Sequence, residues 1–193
     1  MKFGIVSDIH CNAAALDEAL RLMGDIDELL CLGDIVTQYR FSNDVIAILR
    51  DRKAITVLGN HDVDYLKYVA ARDIERGKAD PEMIDWLKNQ SERIDLDPGG
   101  KQLIMVHATP WTHDYVYPNS PQMKRFAEIE ADFVLGGHTH TPFSGRIGRP
   151  LVVNPGSTGD GSQITGEHVL TCAVLDTADD SVRMLHFRDP ANG

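Results

Sequence analysis

Short apolar runs alternate with amphipathic segments along the first third of the chain. Residues 2–7, rich in Ile and Val, predict a buried strand, and residues 28–32 and 54–58 predict two more. Between them, the spacing of apolar positions predicts helices over residues 12–23 and 42–50, each starting at a residue suited to cap a helix. This alternation of strand and helix favours parallel βαβ units.

The remainder of the chain changes from helical to strand-forming character. Helices are predicted over residues 63–76 and 81–89, and residues 92–96 and 101–107 flank a turn sequence and predict a hairpin. Further strands, mostly antiparallel, are predicted at residues 131–135, 144–147, 151–153, 169–176 and 182–187. Two packed mixed sheets with helices outside accommodate this order, and we expect residues 1–193 to form one domain.

Composition narrows the classes of function. The net charge of −10, from 29 acidic and 19 basic residues, argues against general nucleic-acid binding. The apolar runs are too short to cross a bilayer and the first residues predict a strand, so we expect no membrane association and a cytoplasmic location. The cysteines Cys11, Cys31 and Cys172 are widely spaced, which argues against a disulfide framework or a cysteine zinc site.

Metal-binding residue types follow the predicted strands at five places along the chain. They are Asp8 with His10, Asp34, Asn60, His107, and His138 with His140. Because ligands gather outside the carboxyl ends of strands in open α/β sheets, we expect these side chains to converge. If the chain is extended there, residues two apart point the same way. Asp8 and His10 would then address one ion together, and His138 and His140 would project to one side.

The chemistry of this set predicts the metals. Oxygen and imidazole ligands without thiolate favour manganese, iron, zinc, cobalt or nickel over a site for magnesium alone. Seven candidates exceed the four ligands of a typical zinc site, whereas two ions about 3.5–4 Å apart would use them all. Asp34 is the best candidate for a bridging carboxylate, since it stands alone on its loop.

The order of these motifs is recognisable. Asp-x-His, Gly-Asp, Gly-Asn-His-Asp, a later His and Gly-Gly-His-Thr-His resemble the calcineurin-like metallophosphoesterase superfamily, over residues 2 to about 157. Asn154-Pro155-Gly156-Ser157 resembles its small bacterial and archaeal phosphodiesterases. The resemblance implies a four-layer αββα sandwich of two mixed β-sheets flanked by helices.

The resemblance also implies roles for single residues. One metal would be held by Asp8, His10 and His140, the other by Asn60, His107 and His138, with Asp34 bridging. His61 would be catalytic: it would stabilise the phosphoryl charge and protonate the leaving group. Asp62 would either orient His61 or cap the following helix.

The implied activity is hydrolysis of phosphate esters at two divalent metal ions, manganese first, through attack by a hydroxide that bridges the metals. We expect a phosphodiesterase acting on small phosphate-ester substrates. A phosphomonoesterase or a dinucleoside-polyphosphate hydrolase is the alternative within this chemistry. A non-catalytic interaction module, as in a subunit of the retromer coat, is the alternative from another class. Relatives imply a homo-oligomer, either a dimer or a tetramer.

Some residues depart from the family pattern, and others have more than one possible role. The Asp-Arg-Gly of the family's protein phosphatases is missing after Asp34, which argues against phosphoprotein substrates. Cys11 stands where small phosphodiesterases commonly have Gly. Three residues are candidates for substrate binding: Asn12, which could instead cap a helix; Arg40, which could be solvated; and Trp111. Trp111 could form a substrate wall with His113, Tyr115 and Tyr117 on the same loop, or the loop could pack over a core edge or an oligomer contact.

Overall fold

Two mixed β-sheets form the centre of the computed structural model, which describes residues 1–164 and 167–190. The strands are β1 Lys2–Val6, β2 Glu28–Cys31, β3 Ile55–Thr56, β4 Arg93–Leu96, β5 Leu103–Val106, β6 Phe133–Leu135, β7 Phe143–Arg146, β8 Leu151–Asn154, β9 Ser162–Ile164, β10 Glu167–Asp176 and β11 Ser181–Phe187. The first sheet has the order β11-β10-β1-β2-β3, with β9 paired to β10, and the second has the order β4-β5-β6-β8-β7.

Each sheet contains three adjacent parallel strands. In the first sheet β1, β2 and β3 run parallel, and in the second β5, β6 and β8 do so. The antiparallel partners β10 and β4 lie on the outer side of β1 and β5. Each sheet therefore presents a row of carboxyl-terminal strand ends, where connecting loops can place functional side chains.

The helices lie outside the sheets and are short. They are α1 Ala13–Met23, α2 Asn43–Asp51, α3 Asn60–Tyr68, α4 Ala70–Glu75, α5 Pro81–Lys88 and a 3₁₀ helix, Pro121–Glu128. Within the described residues, no helix combines the length and the apolar character needed to cross a membrane. Asn12 caps α1 by accepting a hydrogen bond from the Ala15 N–H at 3.0 Å, and Ser42 caps α2 in the same way from Val45.

Three apolar cores separate the layers. The central core lies between the sheets and includes Phe3, Leu30, Met105 and Leu135. A second core joins helices α1 to α5 to the first sheet, and a third joins the 3₁₀ helix and the loop before it to the second sheet. Because both faces of each sheet are covered, its central strands are continuously apolar rather than alternating. The predicted sandwich of two mixed sheets flanked by helices is confirmed, with a 3₁₀ helix and a loop as its thin fourth layer.

Several boundaries differ from the sequence prediction. The helix predicted over residues 63–76 begins earlier, at Asn60, and is interrupted at Val69 between α3 and α4. The early start follows from Asp62, whose buried carboxylate accepts the Gly59 N–H at 2.9 Å and the Val36 N–H at 3.0 Å. Asp62 therefore caps α3 and does not contact His61 through these bonds. Strand β3 is shorter than predicted, while β9 and the 3₁₀ helix were not predicted.

The central core generates a stability prediction. Leu135 is fully buried between the sheets, so we expect Leu135→Ala to lower the free energy of unfolding by about 2–5 kcal/mol. Leu22→Ala, on the half-buried face of α1, should cost clearly less. Urea unfolding in the presence of a chelator measures both changes without a contribution from bound metal. Equal losses for the two variants would contradict a central core formed between the sheets.

Candidate metal centre

Six of the seven side chains predicted as metal ligands come together in one place. They follow β1 and β2 of the first sheet and β5 and β6 of the second. Asp8, His10 and His140 form one group and Asp34, His107 and His138 form another, and in each group the ligand atoms lie within 4.8 Å of one another. Asn60 follows β3 as the first residue of α3.

Short distances join the members within each group. In the first group, His140 Nε2 lies 3.2 Å from Asp8 Oδ1 and 3.2 Å from His10 Nε2. In the second, His107 Nε2 lies 3.3 Å from Asp34 Oδ2 and 3.2 Å from His138 Nδ1. Each group thus directs a carboxylate and two imidazoles at one point, which is a donor set suited to a divalent transition metal.

Left-handed backbone conformation is shared by most of these residues. The positive φ angles are 52° at Asp8, 47° at His10, 50° at Asp34, 65° at His138 and 55° at His140. The extended geometry expected from the sequence is therefore wrong. His138 and His140 do not project to one side: His140 lies with Asp8 and His10, and His138 lies with Asp34 and His107. Non-glycine residues with positive φ cost energy and cluster at functional sites, where the surrounding structure holds them.

Hydrogen bonds between neighbouring loops hold this backbone. The parallel pairing of β1 and β2 continues beyond the strands, because Asp8 N–H donates to Gly33 O at 3.0 Å and His10 N–H donates to Asp34 O at 3.1 Å. The second sheet is tied to the first by His138 N–H, which donates to Asp8 Oδ2 at 3.0 Å. The ligand loops therefore fix one another's conformation.

The segment Asn154 to Ser157 braces two of these loops. Asn154 Nδ2 donates to Gly137 O at 2.8 Å and to Thr139 Oγ1 at 3.0 Å, on either side of His138. Ser157 Oγ donates to Asp8 O at 2.9 Å. From sequence this segment carries only a family resemblance, and its positioning role follows from these contacts.

A glycine makes room for Asp34. A Cβ atom at Gly59 would overlap both Asp34 Oδ1 and the Asp34 backbone nitrogen. The same carboxylate oxygen, Oδ1, accepts the His61 N–H at 2.9 Å, which leaves Oδ2 directed at His107 and the second group. Close backbone approach at Gly59 is therefore a condition for the position of Asp34.

The tautomer of one histidine follows from a backbone contact. His107 Nδ1 lies 2.7 Å from Leu32 O, and since a carbonyl oxygen can only accept, Nδ1 carries the proton. Nε2 is then free to bind a metal on the side of Asp34. Such a second contact orients a ligand imidazole and raises its basicity.

The charges of the centre compensate one another. Burial disfavours the ionised form of Asp8, yet the hydrogen bond with His140 and the charges of His107 and His140 outweigh it and lower the pKa of Asp8. Burial lowers the pKa of His107, but the charge and hydrogen bond of Asp34 outweigh it and raise that pKa overall. Without cations, protonated imidazole thus balances buried carboxylate, and metal binding would release those protons.

Unsatisfied polar atoms test whether metals fit. Among the described residues, six buried side-chain atoms lack a hydrogen-bond partner, and three of them, Asp8 Oδ1, Asn60 Oδ1 and His138 Nε2, belong to predicted ligands. Buried polar atoms are normally paired. Together with the two groups, these three atoms show residues able to bind divalent metals.

His61 lies beside the two groups without joining either. Its Nδ1 accepts the Gln38 N–H at 3.2 Å, which leaves the ring proton on Nε2. Nε2 lies 3.9 Å from Asp34 Oδ2, and the ring meets that of His10 edge-on with centroids 5.1 Å apart. A backbone N–H therefore orients His61 in the stretch where the phosphatase Asp-Arg is missing.

An open cleft of about 830 Å³ gives access to the centre. Of the candidate substrate residues, Arg40 lines it and donates through Nη2 to His10 O at 3.0 Å. Asn12 lines it too, but its side chain caps α1 and donates to Gly159 O. Trp111 does not line it; its ring packs edge-on against Phe126 in the third core. Arg40 and Asn12 therefore lie at the cleft and Trp111 does not, and substrate binding by any of the three stays a prediction.

Asp160, which no sequence prediction selected, lines the cleft together with two tyrosines of the loop that the sequence suggests as a substrate wall. Asp160 Oδ2 lies 3.6 Å from His140 Nδ1. Tyr115 stacks on the ring of His138, with centroids 4.0 Å apart and planes inclined by 22°, and Tyr117 lies beyond it. The tyrosines share a loop with Trp111, and this loop reaches the cleft through Tyr115 and Tyr117 rather than through Trp111.

The family model described as "Calcineurin-like phosphoesterase superfamily domain" matches residues 1–180. The chain belongs to the calcineurin-like phosphoesterase superfamily. The uncharacterized protein MJ0912 of Methanocaldococcus jannaschii is 29% identical, over 80% of this chain and 75% of that protein.

Solved structures share the fold of this phosphoesterase chain. A metallophosphoesterase from Sphaerobacter thermophilus superposes with a TM-score of 0.79 at 22% identity, over 100% of this chain and 90% of that one. A structure described as a novel archaeal phosphodiesterase superposes with a TM-score of 0.64 at 20% identity, over 97% of this chain and 100% of that one. At these identities the likeness shows the fold.

The close approach at Gly59 generates a prediction. Gly59→Ala should displace Asp34 and weaken Mn²⁺ binding by about 10–100-fold, as loss of a supporting contact does in metal sites. Gly24→Ala is the control: its φ is positive, at +70°, whereas that of Gly59 is −98°, and nothing lies within 4 Å of the added Cβ. It should cost about 1–2 kcal/mol of stability and leave Mn²⁺ affinity unchanged. Calorimetric titration of the two folded variants decides, and parental affinity in Gly59→Ala refutes the prediction.

Proposed function

We propose that this phosphoesterase hydrolyses phosphodiesters of small substrates with two divalent metal ions, manganese being the first candidate. The observation that carries the proposal is the pair of ligand groups, Asp8 with His10 and His140 and Asp34 with His107 and His138, which open into one cleft beside His61. Two adjacent metals with a shared carboxylate are a recurrent arrangement for in-line displacement at phosphorus.

Different side chains would hold each of the two metals. When bound, divalent cations supply Lewis acidity and lower the pKa of water, which yields a nucleophile at neutral pH. Asp34 Oδ2 faces His107, and Asn60 Oδ1 is buried and unpaired, so these atoms with His138 would hold one ion. Asp34 is the candidate bridge to the group of Asp8.

His61 is the candidate for direct contact with the phosphoryl group. Because Nδ1 accepts the Gln38 N–H, the neutral ring presents an Nε2–H donor on the side of Asp34. An imidazolium donates from both nitrogens and would lose the contact with Gln38. Stabilisation of charge on a phosphoryl oxygen is therefore the role of His61 that this geometry supports, ahead of protonation of the leaving group.

Other activities in this family remain candidates. A structure of the same fold is described as a putative diadenosine tetraphosphatase, and the cleft of about 830 Å³ has room for substrates larger than a simple monoester. The centre itself argues against a non-catalytic module, because five of its predicted ligands have a left-handed backbone conformation that costs free energy. Such strain is difficult to account for without a function.

Metal depletion tests the reaction. Protein stripped with a chelator should hydrolyse bis(p-nitrophenyl) phosphate at the background rate, and Mn²⁺ should restore activity. We expect a higher kcat/KM for this diester than for p-nitrophenyl phosphate. Mn²⁺ should restore little hydrolytic activity to Asp34→Asn, because the substitution weakens the ligand proposed to be shared by both ions. The proposal fails if metal-replete protein hydrolyses neither ester.

Replacement of His61 tests its role. His61→Ala should keep the metal stoichiometry and lose about 10²–10³-fold in kcat, the usual effect of removing a donor to a developing oxyanion. His113→Ala is the control, since that side chain is 80% exposed and lies outside the cleft.

Diesters with good and poor leaving groups separate the two roles of His61. Charge stabilisation predicts the same loss for both substrates. A loss that grows with the pKa of the leaving group would instead assign His61 as the general acid.

A further inference from the structure

Two tyrosines in the cleft have no part in the chemistry described above. Tyr115 and Tyr117, in the loop after β5, are 57% and 48% exposed, and both line the cleft. Their rings are nearly parallel, inclined by 13°, with centroids 6.1 Å apart. Exposed aromatic faces in a ligand cleft offer large, rigid contact area to flat groups.

This aromatic surface begins at the metal centre. Tyr115 stacks on the ring of His138, so it touches a residue of the second ligand group directly. Tyr117 extends the surface outward along the same cleft. A substrate with its phosphorus at the metals would therefore place its organic group beside the two rings.

The rings are held in place by the residues around them. Val116, between the tyrosines, is 8% exposed and belongs to the third core with Met123 and Phe126. The loop then turns into the 3₁₀ helix, and Ser120 N–H donates to Tyr117 O at 2.8 Å. Because Val116 anchors the loop, a ligand would pay little entropy to order the tyrosines.

The charges of the cleft indicate what kind of group the rings would receive. Among the described residues that line the cleft, Arg40 is the only Arg or Lys, while Asp160 adds negative charge. The chain as a whole carries −10. An organic group with further phosphates would find little positive charge beyond the metals, whereas an uncharged flat ring finds two aromatic faces.

We propose that Tyr115 and Tyr117 stack the base of a nucleotide, so that the substrates are phosphate esters of nucleosides. The proposal rests on the function proposed above, because the phosphate must be anchored at the metal centre. Phosphate, sugar and base together fit a cleft of about 830 Å³. Stacking on aromatic side chains tolerates every base, so the rings select the class of compound rather than one base.

Two ligands that differ only by the base test the proposal. AMP and ribose 5-phosphate share the phosphate and the sugar, and their affinities for Mn²⁺-saturated protein are measured by calorimetric titration. We expect AMP to bind at least about tenfold more tightly, which is within the usual contribution of base stacking. Tyr117→Ala should reduce that ratio toward one, and Tyr117→Phe should preserve it. Tyr68→Ala, which removes a 68% exposed tyrosine outside the cleft, is the matched control and should preserve it too.

The outcomes separate this inference from the one on which it rests. Equal affinities for AMP and ribose 5-phosphate overturn the stacking role alone, as does a Tyr117→Ala variant that keeps the parental ratio. If neither ligand binds and no phosphate ester is hydrolysed, the proposed function and the stacking role fall together. A ratio that depends on Tyr117 and is retained by Phe establishes the stacking role.

Discussion

The metal centre depends on backbone that is held in the left-handed region at five of its ligands. Each such residue is disfavoured locally, and the neighbouring loops supply what holds it: Asp8 pairs with Gly33, His10 pairs with Asp34, and His138 donates to the Asp8 carboxylate. The conformation of any one ligand thus requires the others. This mutual dependence explains why Gly59 and Asn154, which are not predicted metal ligands, are as necessary to the geometry of the centre as the ligands.

Hydrophobic periodicity predicted most of the fold because each long element buries one continuous face. The strands β1 and β10 and the helix α1 were found within a few residues for that reason. The three-residue strand β9 offers too little pattern to detect, and β3, predicted over residues 54–58, has only two residues in the sheet. The start of α3 was placed late, since the motif Gly59 to Asp62 was interpreted as a ligand loop although its last residue caps the helix.

Motif order located the candidate ligands, yet sequence could not give their geometry. An alternating pattern implies extended chain, whereas His138 and His140 are left-handed and join different groups. For some side chains the sequence alone does not distinguish a role in the functional site from a structural role. Asn12 and Asp62 cap helices, and Trp111 packs in a core, because nearby backbone N–H groups or apolar side chains satisfy them. Only tertiary contacts distinguish these uses.

Each ligand group draws on both sheets: Asp8 and His10 meet His140 across the interface, and Asp34 meets His107 and His138. Each bound cation would therefore link the two sheets of the sandwich through its ligands. The binding free energy of the cations would add to the cohesion of the sheets, to an extent set by the free metal concentration and the dissociation constant. Metal supply would then govern the lifetime of the folded protein as well as its turnover.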